Sequence, residues 1–94
     1  MTASIDNEPR FAAALSTLSD TRAAARDAGR TALAGLGGQP DLAFVFASMH
    51  HQENFEALAA SLHGDLATDC LLGCTGEAIV GNDREIENSP AVAV

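Results

Sequence analysis

The sequence predicts an α/β fold, in which a small, partly parallel sheet is built in the order strand, helix, strand, helix, strand and carries two main helices. Two segments show the apolar periodicity of amphipathic helices, and short apolar runs precede and follow them. Glycine or proline marks most of the boundaries between these segments. Because strand–helix–strand units typically build parallel strand pairs, the order indicates a βαβαβ start. A length of 94 residues allows one small domain.

The chain begins with a polar segment, residues 1–9, which ends in Glu8-Pro9 and shows no periodicity. We expect a flexible leader there. The residues from Arg10 to Ser16 are mostly apolar and fit either a short buried strand or the start of a helix, because alanine favours helices. The α/β segment is therefore expected to span residues 10–94.

The first helix is predicted to begin just after Ser19 and Asp20, two residue types that favour the N-cap position. Apolar residues then recur at helical spacing on one stripe, formed by Ala25, Ala28, Ala32, Leu33 and Leu36. The glycines that end the helix are Gly35, Gly37 and Gly38. A row of arginines four residues apart, Arg22, Arg26 and Arg30, could bind an anion, but such a row is more often the solvated face of a helix.

The middle of the chain predicts a buried strand followed by a second helix. Leu42 to Ala47 is an uninterrupted apolar run with aromatic and β-branched residues, which is typical of a strand covered on both faces. The helical signature i, i+3, i+4, i+7 is formed by Phe55, Leu58, Ala59 and Leu62. We expect Gly64 to end this second helix.

The last third of the chain predicts short extended segments separated by turns. Cys70 to Cys74 is expected to form a strand and Gly73 to Gly76 a tight turn, with a short extended piece at 77–80 and a further turn at 81–83. The residues Ala91 to Val94 form an apolar strand at the end of the sequence. We expect this end strand to lie at an open edge of the sheet, where it would recruit other strands.

Charge and composition exclude several classes of function. Thirteen acidic and five basic residues give a formal net charge of −8 at pH 7, which repels phosphate backbones and anionic lipids, so we expect no nucleic-acid or membrane partner. All five basic residues are arginine, and the absence of lysine excludes Schiff-base, Walker-lysine and kinase-lysine chemistry. No apolar run approaches the roughly 20 residues of a spanning helix, and the start does not resemble a signal peptide. A cytoplasmic location is therefore expected.

The two cysteines are expected to be free thiols. Cys70 and Cys74 lie four residues apart in a predicted strand, where about 3.3 Å per residue places their Cα atoms roughly 13 Å apart, beyond the roughly 7 Å limit for a disulfide. We expect Cys70, inside the strand, to be more buried than Cys74, which borders the predicted turn.

A candidate ligand site follows from the two loops that leave predicted parallel strands. One loop contains His50, and the other contains Gly73, Cys74, Thr75, Gly76 and Glu77. In open α/β sheets, ligands bind beyond the carboxyl ends of the strands, so the loops converge if their strands are neighbours. The glycines would let backbone amides approach a ligand, and Glu77 could hold an ammonium group. The plainer interpretation is that the glycines merely make a turn.

Two chemical alternatives involve the histidines. Cys74 could act as a nucleophile with His50 as its base, although free cysteines in strands are usually small core residues. His50 or His51 could bind a metal ion together with Cys74, but adjacent residues on extended backbone point apart, and surface or capping histidines are more common. We therefore expect no catalytic residue, metal or cofactor.

Several motifs, taken in order, resemble the FIST N-terminal domain. They are Leu15-Ser16-Thr17, the alanine-rich helix up to Ala34-Gly35-Leu36-Gly37, Pro40 to Ser48, and Leu72 to Glu77. The resemblance implies an intracellular sensor domain of signal transduction that binds small ligands such as amino acids. The family's domain is longer and is followed by a C-terminal partner domain. The resemblance thus implies that residues 10–94 are the N-terminal part of an incomplete domain, whose partner is the missing C-terminal domain or a second copy of the chain.

We therefore expect a non-enzymatic, small-ligand-binding sensory module, with amino acids or similar polar metabolites as candidate ligands. One alternative is an interaction or oligomerisation module that uses an open sheet edge, which would make the chain a homo-oligomer. The other is a thiol-dependent enzyme that uses Cys74.

Overall fold

The computed structural model describes residues 10–81 and 84–94. Its elements are β1 (Leu15–Ser16), α1 (Thr21–Leu36), β2 (Ala43–Ser48), a 3-10 helix (Met49–Asn54), α2 (Phe55–Leu66), β3 (Leu71–Gly76), β4 (Ala78–Gly81), β5 (Arg84–Glu87) and β6 (Val92–Ala93). The predicted α/β class with two main helices is confirmed. The expected leader, residues 1–9, lies outside the described residues. No helix in the described ranges is long and apolar enough to cross a membrane.

The main sheet has four strands in the order β1-β6-β2-β3. β2 and β3 are parallel along their whole length, from Ala43 opposite Leu71 to Ser48 opposite Gly76. β6 is antiparallel to both of its neighbours, β1 and β2. The sheet is therefore partly parallel, as predicted, and β1, β2 and β3 all end at the same edge.

The expectation that the end strand lies at an open edge is wrong. β6 lies between β1 and β2, and Val92 is completely buried. The flanking backbone is also paired, because Val94 exchanges two hydrogen bonds of 2.9 Å with Ala14 and the amide of Ser48 donates to the carbonyl of Ala91. Pairing on both sides leaves this segment no free edge with which to recruit a second copy.

Helix α1 has the start and end that its sequence predicts. The Asp20 side chain accepts a hydrogen bond of 2.9 Å from the amide of Ala23, which makes Asp20 the N-cap. Gly37 ends the helix in the left-handed region, with φ of 77°, and its amide donates to the carbonyl of Leu33. The buried face consists mainly of small residues, namely Thr21, Ala24, Ala25, Ala28, Gly29 and Ala32.

The small residues of α1 let α2 pack closely against it. A Cβ atom at Gly29 would lie 2.8 Å from Cδ2 of Leu62, which is fully buried. The two helices cover one face of the sheet, where the largest core side chains are Val45, Leu58, Leu62, Leu66 and Val92. This helix-side core has few large side chains, as the alanine-rich composition requires.

The prediction that the second strand is covered on both faces is wrong. In β2, Val45 and Ala47 point into the helix-side core, whereas Phe44 and Phe46 are 47% and 44% exposed. The reason is that both helices pack on the same side of the sheet. The opposite side carries the β4–β5 hairpin, whose Ile79 and Ile86 pack with Leu15, Ala91 and Ala93 and so cover the part of the sheet formed by β1 and β6.

Two predicted boundaries also differ from the structure. Helix α2 continues through Gly64 to Leu66 and ends where Ala67 adopts a left-handed conformation, with φ of 53°. A glycine costs only about 1 kcal/mol inside a helix, and the buried Leu66 continues the apolar stripe beyond it. The predicted tight turn at Gly73–Gly76 instead forms the last four of the six residues of β3, because these residues pair with β2.

The cysteines are free, as expected, but the predicted difference in burial is wrong. Both Cys70 and Cys74 are exposed. Cys74 pairs with Phe46 on the face that the helices do not cover. Cys70 directly precedes β3, and its carbonyl accepts a hydrogen bond of 3.0 Å from the amide of Ala43 in β2.

Candidate functional site

The carboxyl ends of β2 and β3 bring the predicted site segments to one edge of the sheet. Ser48, the last residue of β2, lies opposite Gly76, the last residue of β3. His50 follows β2 by two residues, and Glu77 follows β3 directly. Helix α1 also begins at this edge, because Thr21 contacts the residues that follow β2. The convergence of the two loops is thus a consequence of the parallel pairing.

His50 is held at this edge by Ser48. Its Nδ1 atom lies 3.3 Å from the Ser48 hydroxyl oxygen, which also accepts a hydrogen bond of 3.0 Å from the amide of Ala91. Ser48 is 2% exposed, whereas His50 is exposed. One nitrogen of the imidazole ring therefore contacts a buried hydroxyl, while the residue as a whole is exposed.

Cys74, Thr75 and Gly76 line one groove. The groove has a volume of about 250 Å³ and lies between the end of β3 and strand β4, and its other lining residues are Phe46, Ala78, Ile79 and Val80. Cys74 shares the open face of the sheet with Phe46, whereas Thr75 pairs with the buried Ala47. His50 and Glu77 do not line the groove, although both belong to the same sheet edge. Glu77 is exposed.

Gly73 has a different role from the one predicted. It lies within β3, opposite Val45, and a Cβ atom at this position would lie 2.6 Å from the Val45 carbonyl oxygen. Side chains do not tolerate so short a distance to a backbone atom. Gly73 therefore permits the close approach of the two strands.

The burial of His51 was not predicted from the sequence. This residue is completely buried, and its Nδ1 atom lies 2.8 Å from the hydroxyl oxygen of Thr21. Its Nε2 atom is also buried and has no hydrogen-bond partner among the described residues. Burial lowers the pKa of His51 below the usual 6.5, the neighbouring His50 lowers it further, and Asp20 acts in the opposite direction.

The sequence carries little indication that Thr21 and His51 are in contact. Thr21 and His51 are separated by 30 residues, so no local pattern connects them. The 3-10 helix after β2 directs His51 inward and His50 outward, and this turn was not predicted. The contact ties the first turn of α1 to the carboxyl edge of β2.

The structure also shows where the residues of the other candidate groups lie, namely the Cys74–His50 pair, the metal site and the arginine row. No hydrogen bond joins Cys74 to His50, whose Nδ1 atom faces Ser48 instead. Residues 10–81 and 84–94 contain no group of three or more His, Cys, Asp or Glu side chains that could hold a metal ion. The arginine row lies on the exposed face of α1, where Arg26 Nε is 4.0 Å from Asp65 Oδ2 on α2.

A larger groove, with a volume of about 620 Å³, lies at the opposite edge of the sheet. Its walls are mostly apolar and include Leu33, Leu36 and Leu66, and its polar lining residues are Arg10, Gln39 and Asp41. None of the residues predicted to bind a ligand contributes to it. Its size makes this groove a second possible ligand site. An experiment therefore has to distinguish binding in this groove from binding at the carboxyl edge.

Comparison with known family models assigns the chain to a family. The family model described as the FIST N domain matches residues 41–94, which is more than half of the chain. The chain belongs to the FIST N domain family. The resemblance predicted from the sequence is thereby confirmed, and the matched region contains β2, β3 and the whole candidate site. FIST domains are sensory domains of signal transduction.

The chain is also similar to curated proteins of mycobacteria. It is 37% identical over 86 residues to the uncharacterized protein Rv0628c of Mycobacterium tuberculosis, and 33% identical over 86 residues to the uncharacterized protein Mb0898c of Mycobacterium bovis. In both cases the alignment covers 90% of this chain and 22% of the relative. The chain thus spans about a fifth of the length of these relatives. No solved structure matches it.

Proposed function

We propose that this FIST N domain is a cytoplasmic sensory module that binds a small polar ligand at the carboxyl edge of β2 and β3 and carries out no catalysis. The observation that carries the proposal is the parallel register of these strands, which places Ser48 opposite Gly76. His50, Thr75 and Glu77 consequently lie at one edge. Edges of this type are where open α/β sheets bind ligands.

The chemistry of this edge suits a molecule with both an anionic and a cationic group. Helix α1 begins here, and the partial positive charge at its first turn favours an anion, whereas the amide of Ala23 is already bound by the Asp20 carboxylate. The exposed carboxylate of Glu77 offers a partner for an ammonium group. Free amino acids carry both groups, so they are the ligand class that we favour.

The size of the neighbouring groove supports a small ligand. Its volume of about 250 Å³ is below the roughly 300–1,000 Å³ of pockets that hold drug-sized molecules. Phe46, Ile79 and Val80 make the groove partly apolar. A short apolar or hydroxylated side chain of an amino acid would fit there while its charged groups remain at the edge.

The surroundings of Cys74 favour binding over thiol chemistry. A nucleophilic cysteine needs a base within hydrogen-bonding distance, and His50 is directed toward the Ser48 hydroxyl. Cys74 lies on an apolar surface beside Phe46 and Leu72. We therefore assign it to the lining of the groove.

Calorimetric titration of the chain with each of the twenty amino acids tests the proposal. We expect at least one amino acid to bind, and Glu77→Gln to weaken its binding by about tenfold or more, as loss of a charge-assisted hydrogen bond predicts. Glu87→Gln is the matched control, because Glu87 is also an exposed strand carboxylate but lies at the end of β5.

Two results would contradict this function. One is the failure of every amino acid to bind. The other is binding that Glu77→Gln and Gly76→Val together leave unchanged but that Arg10→Ala abolishes, because Arg10 lines the larger groove at the opposite edge.

A further inference from the structure

The larger groove, at the edge of the sheet where β2 begins, is lined mainly by apolar side chains. Leu33 and Leu36 of α1 and Leu66 of α2 line it from the helix side. Its volume of about 620 Å³ falls within the roughly 300–1,000 Å³ of pockets that hold drug-sized molecules. The larger groove therefore has room for a ligand with an apolar body.

Three other lining residues of this groove leave large apolar side chains in contact with water. Phe11, Leu42 and Phe44 are 89%, 48% and 47% exposed. Removal of apolar surface from water favours binding. A ligand that covers these side chains would thus be held in part by the hydrophobic effect.

Arg10 supplies the groove with a positive charge. A Cβ atom at Gly37 would lie 3.8 Å from Nη1 of Arg10, and one at Gly38 would lie 3.7 Å from Nη2, so the guanidinium lies beside the C-terminal end of α1. The partial negative charge of a helix C-terminus favours a cation there. Arg10 forms no ion pair with any residue of the described ranges. Within those ranges, its guanidinium is therefore available to an anion.

The other polar residues of the groove limit what this charge can bind. The Gln39 side chain donates a hydrogen bond to the carbonyl of Ala67 and is already engaged. Asp41 contributes a carboxylate, which repels a second anionic group on a ligand. One anionic group, placed at Arg10 and joined to an apolar body, matches this lining.

We propose that the larger groove binds a monocarboxylate with an apolar body, whose carboxylate pairs with Arg10 and whose apolar part lies against the leucines of the helix side. A guanidinium can donate two parallel hydrogen bonds to one carboxylate, which gives the pair both strength and direction. The net charge of −8 means that the overall field of the chain attracts cations and repels anions. A preference for the anion therefore has to come from Arg10.

NMR titrations of the isotope-labelled chain with three molecules of one carbon skeleton test the proposal. The molecules are hydrocinnamate and the alcohol and the amine that correspond to it, so they differ only in the polar end group. We expect hydrocinnamate to bind at least about tenfold more tightly than the alcohol or the amine. The backbone amide signals of Arg10 and Leu36 should change, while those of His50 and of Thr75 to Glu77 stay in place.

Two substitutions test the role of charge in the groove. Arg10→Gln should weaken the binding of hydrocinnamate by about tenfold or more, because it removes the charge. Arg30→Gln is the matched control, since Arg30 is an exposed arginine of α1 that does not line the groove. Leu42→Asp should also weaken binding, because it adds a carboxylate to the groove, and should leave the unfolding midpoint nearly unchanged, because Leu42 is half exposed.

Several results would overturn the proposal. They are no binding of hydrocinnamate, equally tight binding of the alcohol or the amine, and an affinity that Arg10→Gln leaves unchanged. Tighter binding of phenylalanine than of hydrocinnamate in this groove would show that the ligand class is wrong. Signals of Arg10 and Leu36 that shift with the concentration of the chain alone would assign the groove to a second copy instead. Failure of amino acids to bind at the carboxyl edge would leave each of these results unchanged, so the two proposals are tested separately.

Discussion

His51 is completely buried between the start of α1 and the end of β2, and this position makes the fold sensitive to pH. Its Nδ1 atom is bonded to Thr21, while Nε2 is buried without a partner among the described residues. A proton added to this ring would place a positive charge in the core, and the nearby Asp20 opposes the cost of burial only in part. Burial therefore keeps the pKa of His51 below 6.5, with His50 acting in the same direction and Asp20 against it.

We expect the free energy of unfolding to fall as pH is lowered from 7.5 to 5. In this interval the unfolded chain takes up a proton at His51, with a pKa near 6.5, whereas the folded chain resists it, so protonation favours unfolding. Each unit by which the folded pKa is lowered contributes about 1.4 kcal/mol. Urea titrations at several pH values measure the effect.

Substitution of His51 itself and of His63, an exposed histidine on α2, tests which group causes this pH dependence. His51→Asn should flatten the dependence between pH 7.5 and 5, whereas His63→Asn should leave it as in the unsubstituted chain, because His63 is exposed. An unchanged slope in His51→Asn would show that another group is responsible.

At the scale of single elements, the two helices are held together by a contact that a glycine permits. Gly29 on α1 faces Leu62 on α2, and a side chain at position 29 would enter the core. Gly64, in contrast, has no atom within 4 Å of the position that a Cβ would occupy, although it also lies within a helix. The same residue type thus has opposite consequences at the two positions.

We expect Gly29→Leu to lower the free energy of unfolding by about 1–3 kcal/mol, because overpacking forces the helices apart. Gly64→Ala should raise it by about 0.5–1 kcal/mol, since alanine is a better helix former and meets no obstacle there. Thermal and urea denaturation of the two variants checks both signs. A destabilised Gly64→Ala variant would contradict the continuation of α2 to Leu66.

The elements that local signals determine were predictable from the sequence. Asp20 and Gly37 mark the ends of α1 because capping depends on the residues at and beside the cap. The convergence of His50 with Thr75–Glu77 was predicted on the condition that their strands are neighbours, and the structure shows that they are. The ends of α1 thus follow from local residues, whereas the convergence depends on how the strands pair.

Non-local contacts account for what the sequence did not reveal. The insertion of β6 between β1 and β2 depends on pairing between residues as far apart as Leu15 and Ala93. The exposure of Phe44 and Phe46 depends on both helices packing on the same side, which an apolar run cannot specify. The Thr21–His51 contact likewise connects two turns whose sequences carry no sign of each other.

At the scale of the whole molecule, the fold separates three surfaces with different properties. The helix side forms the core, the carboxyl edge collects the polar residues of the candidate site, and Phe44, Phe46 and Leu72 of β2 and β3 form an exposed apolar surface. The family match lies over the strands that build the last two surfaces.

The most direct test of ligand binding at the carboxyl edge is an NMR titration of the isotope-labelled chain with the amino acid that binds most tightly by calorimetry. We expect the backbone amide signals of His50 and of Thr75 to Glu77 to change, while those of Arg10 and Leu36 in the larger groove stay in place. Changes confined to Arg10, Leu36 and their neighbours, or no changes with any amino acid, would contradict it.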